Sequence, residues 1–343
     1  MKGNDPLAEL MAEAPEVFEI APGLSASEMR AVYFDFDALR EPPYRLFRLD
    51  EQGYRYYYRY MEVDGKQKAV LYPSVTTLLK QTTPTSPFLI QWMVENGSAA
   101  TEKRDMAAAY GTFMHIQFER LLILRKIDLD KMAAVLRDYM EQENIPDKYY
   151  FEWLPRIRKD ILAFAQFVQD YKVKPLAVEI SLVSELGFAG CIDLPCEMTI
   201  KNETFSAIID FKSGRNGFYE DYELQLGLYR DMWNENFPDC PIHRIFNFAP
   251  KDWRKSPTYN LKEQTEAASL AMLPHIIEIA KIKDDKRDKD VTYCDGIVNL
   301  DGDLSGHFHT ISLCELLTTK HAGEQEGKTP EAKPEAETLF DAK

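Results

Sequence analysis

The chain has 343 residues, 45% of them hydrophobic, and a formal net charge of −15 at pH 7. This length can bury one substantial core, and we expect one elaborated domain over residues 31–321, between a flexible arm (1–30) and a disordered acidic tail (322–343). No apolar run approaches the ~20 residues that a membrane-spanning helix needs, and the first residues lack a secretory signal pattern. The prediction is a cytoplasmic protein with no membrane partner.

Charge and cysteine content further restrict the classes of protein to which this chain can belong. An acidic chain that binds nucleic acid needs a local basic groove, because non-specific phosphate binding depends on Lys and Arg. The cysteines lack CxxC spacing, which argues against a zinc site and against a disulfide framework. They are Cys191, Cys196, Cys240, Cys294 and Cys314.

Residues 44–72 are rich in tyrosine and are predicted to form a β-hairpin. Two turn-like clusters, at 51–53 and 64–66, separate the strand-like runs. Two interpretations stay open. The alternating tyrosines could stack nucleic-acid bases, or they could pack the hairpin on the body of the protein. These tyrosines are Tyr54, Tyr56, Tyr58 and Tyr60.

Helical patterns follow. Ser74 is a good N-cap for a helix beginning at Val75. A long helix is predicted from about Ala99 to Lys126, and its residues His115 and Glu119 share a face because they are four positions apart. Residues 131–172 predict two more helices, separated near 144–146.

The stretch from Pro175 to Phe211 predicts strands that carry acids in apolar surroundings. Glu179 interrupts an apolar strand, where an unpaired charge is costly. The runs 188–200 and 205–211 form a second predicted hairpin, in which Asp210 and Lys212 project to the same face. Asp193 lies on the partner strand, and two crowded carboxylates require a proton or a cation between them.

Downstream, a helix is predicted to begin near Tyr219, with Gln225 and Tyr229 on one face. A strand is predicted at 243–249 and a further helix at 263–281.

Four motifs in this order resemble the RecB-type branch of the PD-(D/E)XK nucleases. They are Gly111-x-x-x-His115-x-x-x-Glu119, Gly190-Cys-Ile-Asp193, Asp210-Phe-Lys212 and Gln225-x-x-x-Tyr229. The resemblance covers residues 73–250 and implies an α/β fold of the restriction-endonuclease type. Its αβββαβ core has a central mixed sheet flanked by helices, and the hairpin at 44–72 and further helices elaborate it.

The same resemblance implies the site. Its expected catalytic residues are Glu179, Asp193, Asp210, Lys212, Gln225 and Tyr229. Its expected ligands for Mg²⁺ or Mn²⁺ are His115, Asp193, Asp210 and the backbone carbonyl of Phe211, with Glu119 orienting a ligand. Some RecB-type relatives carry an iron–sulfur cluster on four cysteines, but this chain lacks the closely spaced trio, and we predict no cluster.

The functional expectation is a metal-dependent deoxyribonuclease, an exonuclease rather than an endonuclease, acting in recombination, repair or phage and mobile-element DNA processing. Its predicted partners are single- or double-stranded DNA and a separate helicase or recombination protein, since the chain lacks a GxxxxGK[ST] loop. Two other classes stay open: a non-catalytic or partner-dependent nucleic-acid-binding protein on the same fold, and a metallohydrolase of small phosphoesters.

Overall fold

A computed structural model describes residues 33–34, 39–40, 42–51, 53–214, 220–265, 270–285, 289–294 and 307–326. Its strands are β1 Tyr33–Phe34, β2 Phe47–Glu51, β3 Tyr54–Val63, β4 Lys66–Pro73, β5 Lys174–Pro175, β6 Ala177–Val178, β7 Ile180–Val183, β8 Ala189–Ile192, β9 Leu194–Ile200, β10 Glu203–Phe211, β11 Arg244–Pro250, β12 Tyr259–Glu263, β13 Asp290–Cys294 and β14 Phe308–Ser312. Its α-helices are α1 Val75–Thr82, α2 Pro87–Asn96, α3 Ala100–Leu124, α4 Met132–Gln142, α5 Tyr150–Asp170, α6 Glu220–Asn236, α7 Leu273–Asp285 and α8 Leu313–Glu326.

The fold is mixed α/β around a five-stranded sheet in the order β12-β11-β10-β9-β5. Strands β10 and β11 run parallel, and the other neighbours in the sheet run antiparallel. The parallel pair is possible because α6 provides the long connection that such a pair requires. The central mixed sheet that the sequence predicted is therefore present.

Helices cover both faces of this sheet. Ile209 and Phe211 of β10 pack in a core with residues of α3, α4 and α5. Ile208, the residue before Ile209, packs in a second core with residues of α1, α6 and α7. Because side chains alternate along a strand, Asp210 is directed to the same face as Ile208. The functional side chains of β10 thus face α6.

The predicted hairpin at 44–72 is a three-stranded antiparallel sheet, β2-β3-β4. On one face, Tyr57 packs with Val183 and Ala189. On the other face, Tyr58 and Tyr60 lie against Leu313 and Leu317 of α8. The tyrosines therefore pack this sheet on its neighbours, as the second of the two interpretations proposed.

Two strands that the sequence analysis treated as continuous are interrupted. The run 175–183 is divided at Leu176 and again at Glu179, into β5, β6 and β7, and the run 188–200 is divided at Asp193 into β8 and β9. The prediction of a helix at 263–281 is wrong at its beginning, because Glu263 pairs with Phe246 in the central sheet. A polar residue can end a strand as easily as begin a helix, and periodicity did not separate the two cases.

The predicted arm, 1–30, lies outside the described residues. So does the predicted tail, except for residues 322–326, which belong to α8. In the part of the chain that is described, no helix has both the length and the apolar character to cross a membrane.

Candidate functional site

His115, Glu179 and Asp193 come together from three distant parts of the chain. Each offers one ligand atom, and these atoms lie within 4.8 Å of one another. The Nδ1 atom of His115 is 3.7 Å from Glu179 Oε1 and 3.7 Å from Asp193 Oδ2. Both acids are buried, and the histidine is partly buried. We call these three residues the HED cluster.

The interruptions in the two strands position the acids of the HED cluster. The backbone N–H of Glu179 donates to the carbonyl of Asp193 at 2.9 Å, so the two breaks lie side by side. Glu179 has a φ of 53°, in the left-handed region. Such a conformation costs a non-glycine residue about 1–3 kcal/mol, and such strain is concentrated at functional sites.

The orientation of His115 follows from its backbone partner. Its Nε2 atom lies 3.0 Å from the carbonyl oxygen of Phe211. A carbonyl can only accept, so Nε2 carries a hydrogen and donates it. Nδ1, the other ring nitrogen, is therefore the atom that faces the two carboxylates.

The ligand atoms of the HED cluster, one imidazole nitrogen and two carboxylate oxygens, are of the kind that a divalent cation binds. Burial raises the pKa of Asp193 to about 7; His115 opposes this shift, while Glu179 and Asp210 add to it. Crowded acids of this kind are stabilised by a cation. Ligands on opposite sides of an octahedral Mg²⁺ lie about 4.2 Å apart, since each bond is about 2.1 Å long. Neighbouring ligands on such an ion lie closer, about 3.0 Å apart. The three ligand atoms, which lie within 4.8 Å of one another, would therefore have to move slightly together to hold the ion.

A second group of side chains begins at Asp210. Its Oδ2 atom is 2.8 Å from Lys212 Nζ, and Lys212 Nζ donates to Gln225 Oε1 at 2.9 Å. Gln225 Nε2 then donates to the hydroxyl of Tyr229 at 3.0 Å. The structure therefore brings together four predicted site residues in one hydrogen-bonded chain, which we call the lysine chain.

Electrostatics keep Lys212 charged. Burial by itself lowers the pKa of this lysine, but the carboxylates of Asp210 and Asp193 outweigh burial and raise the pKa above its usual range. The ammonium also lies 4.3 Å from the centre of the Tyr222 ring, a cation–π distance. Lys212 is thus held as a cation beside the HED cluster.

Two predicted ligands, Asp210 and the Phe211 carbonyl, and Glu119, which was predicted to orient a ligand, lie outside the HED cluster. Asp210 lies outside the HED cluster and pairs with Lys212. The carbonyl of Phe211 accepts from His115, while its N–H donates to Asp193 Oδ2 at 2.7 Å. Glu119 is buried one helical turn after His115. Their roles as ligands, or in support of ligands, stay predictions.

Two buried residues near the site were missed from the sequence. Asn247 Nδ2 donates to Asp210 Oδ2 at 2.7 Å, and Gln264 Nε2 donates to Asn247 Oδ1 at 2.6 Å. Asn247 is a polar residue within the apolar strand β11. The same pattern, a polar residue in an apolar strand, identified Glu179 as a candidate. Gln264 follows β12 and carries no such signal.

A cavity of about 460 Å³ adjoins the segment that follows β10. Ser213 and Gly214 line it, together with two basic and two acidic side chains: Arg156, Lys159, Glu152 and Asp252. Arg156 Nη2 donates to the carbonyl of Ser213 at 2.8 Å. With balanced charge, this cavity by itself favours neither a polyanion nor a small phosphoester.

Comparison with known proteins returns no match, either to a protein-family model or to a curated protein.

Proposed function

We propose that the chain is a divalent-metal-dependent nuclease with the core arrangement of the RecB-type PD-(D/E)XK nucleases. The observation that carries the proposal is the adjacency of the HED cluster and a charged lysine: Phe211 contacts His115 and Asp193, and Lys212 follows it directly. Hydrolysis of a phosphodiester needs both a cation site and a group that stabilises additional negative charge.

The order of elements supports the same proposal. Helix α3 supplies His115, the β8–β9 and β10 strands supply Asp193 and Asp210, and α6 supplies Gln225. Strand β11 then returns parallel to β10. This succession supports the αβββαβ order that the resemblance implies, with α4, α5 and the short strands β5–β7 inserted between α3 and β8.

The residues of the site have distinct tasks in this proposal. His115, Glu179 and Asp193 hold Mg²⁺ or Mn²⁺, with Asp210 beside them; an imidazole ligand favours Mn²⁺. The bound cation would lower the pKa of a water molecule and neutralise charge on the phosphate. Lys212 donates to the attacking water or to the anionic phosphate oxygen. Gln225 and Tyr229 hold the ammonium in place through the lysine chain.

The proposed substrate is DNA, with exonuclease action ahead of endonuclease action. The experiment is cleavage of end-labelled linear, single-stranded and covalently closed circular DNA by purified protein with Mg²⁺ or Mn²⁺. Degradation of linear DNA alone supports an exonuclease, whereas cleavage of closed circles supports an endonuclease.

The decisive comparison is Lys212→Ala against Lys251→Ala, which removes an exposed lysine. Lys212→Ala is expected to abolish cleavage and to retain Mn²⁺ binding by calorimetry, whereas Asp210→Ala is expected to lose both. Full cleavage by Lys212→Ala would refute the assigned roles. A wild-type protein inert on DNA and RNA with both metals would refute the nuclease, and the predicted partner-dependent binding protein would then be preferred.

A further inference from the structure

A pair of buried amides extends the site into the central sheet. Asn247 of β11 is fully buried, and Gln264, just after β12, is 4% exposed. Asn247 lies opposite Asp210 in the parallel pairing of β10 and β11. Gln264 is fixed in turn by its backbone N–H, which donates to the carbonyl of Ile245 at 2.9 Å. A buried polar network of this kind requires every member to be paired.

The chemistry of the partners fixes the orientation of both amides. An ionised carboxylate only accepts, so Asn247 must present its NH₂ group to Asp210. Its carbonyl oxygen then faces Gln264, which must present an NH₂ group too. The distances of 2.7 Å and 2.6 Å agree with this direction of donation. The pair therefore delivers a hydrogen-bond donor to Asp210 in one defined geometry.

Asn247 and Lys212 donate to the same oxygen of Asp210, Oδ2. Two donors on one oxygen fix the rotation of the carboxylate. They also leave Oδ1 without a hydrogen bond from any described residue, so Oδ1 is the oxygen that we assign to the cation. Removal of Asn247 would leave Lys212 as the only described donor to Asp210.

We propose that Asn247, supported by Gln264, is a positioning residue that orients Asp210 toward the cation and toward Lys212. This inference rests on the proposed nuclease function. The expected consequence is specific: loss of the amide pair should lower kcat and weaken Mn²⁺ binding, and should leave the KM for DNA nearly unchanged.

The test compares Asn247→Leu, Gln264→Leu and the double variant. Leucine has the branched shape of asparagine with a somewhat larger volume, and it removes the polar group. Asn247→Leu leaves the Gln264 amide buried without its partner, so the melting temperature should fall. The double variant removes both amides, and its melting temperature should recover in part, because the Gln264 amide is no longer left without a partner, while Asp210 still lacks the Asn247 donor.

Activity separates a positioning role from a structural one. We expect kcat to fall about 10- to 100-fold in Asn247→Leu, as for other residues that orient ligands, and to stay low in the double variant although part of its stability returns. Calorimetric titration with Mn²⁺ should show the same loss of affinity in both. The matched control is Lys262→Ala, at the exposed position opposite Asn247 on β12, which should change none of these quantities.

Recovery of kcat and of Mn²⁺ affinity together with the melting temperature would overturn the inference, since Asn247 would then act through stability alone. Unchanged kcat in Asn247→Leu would overturn it too. Neither result affects the proposed nuclease, which fails only if the wild-type protein does not cleave.

Discussion

A substitution of Gly190 tests the lysine chain, because the ring of Tyr229 occupies the space that a side chain at position 190 would need. A Cβ atom at position 190 would lie 2.7 Å from the Tyr229 ring and 3.2 Å from Met232. Ordinary contacts begin near 3.4 Å, so Gly190→Ala must displace the ring by about 0.7 Å. Tyr229 and Met232 are both buried, so the ring cannot retreat freely.

The displacement should affect both stability and catalysis. Overpacking in a close-packed core costs about 1–3 kcal/mol. A movement of this size along the bond from Tyr229 to Gln225 would stretch it from 3.0 Å to about 3.7 Å, beyond hydrogen-bond range. Gln225 would then no longer be held in place to accept from Lys212. We expect kcat to fall about 10- to 100-fold, since a 1 Å misplacement can lower a rate by that amount.

The assay is steady-state cleavage of linear DNA together with thermal unfolding. The matched control is Gly227→Ala on α6, the helix that carries Tyr229. A Cβ atom at position 227 would lie 2.7 Å from Leu270 and 2.8 Å from Leu273. Gly227→Ala should alter stability and leave kcat unchanged. A Gly190→Ala protein with a lowered melting temperature and wild-type kcat would refute the role of Tyr229 and Gln225 in holding Lys212.

Four further predictions concern pH, metal affinity and stability. Because the pKa of Asp193 is raised from 3.8 to about 7, the folded metal-free protein retains a proton that the unfolded chain releases, and its free energy of unfolding should fall as pH rises from about 4 to 7. Affinity for Mn²⁺ should rise as pH increases through 7; calorimetric affinities independent of pH from 6 to 8 would contradict this. Ser74→Ala removes the cap that accepts from the Thr77 N–H at 3.0 Å and should lower the free energy of unfolding by about 0.5–2 kcal/mol in urea; an unchanged midpoint would contradict it. Tyr110→Phe removes a buried hydrogen bond of 2.6 Å to Asp160 and should lower the same free energy by about 1–3 kcal/mol, and a loss below 0.5 kcal/mol would contradict it.

Local patterns predicted most of the elements correctly. Ser74 caps α1, two helices occupy the region 131–172, and the alternation around Phe211 placed Asp210 and Lys212 on one face. These features depend on neighbours within a few residues, so they can be predicted directly from the sequence. The ends of the elements were predicted less accurately. The helix predicted at 263–281, for example, begins at a residue that belongs to the strand Tyr259–Glu263.

Tertiary structure decided which acid meets which partner. The described geometry groups Asp193 with His115 and Glu179 and pairs Asp210 with Lys212. That Asp193 and Asp210 share a cation stays a prediction. The left-handed conformation of Glu179 has no local signature, because it is imposed by the backbone contact with Asp193.

The sequence by itself determined which side chains are available for a site: acids within apolar runs, a histidine on a long helix, and a lysine at the end of a strand. Only the folded chain determined the arrangement, including the support that Asn247 and Gln264 give to Asp210. The physical reason is that periodicity encodes which face a side chain occupies, whereas contacts between distant segments depend on how whole layers pack.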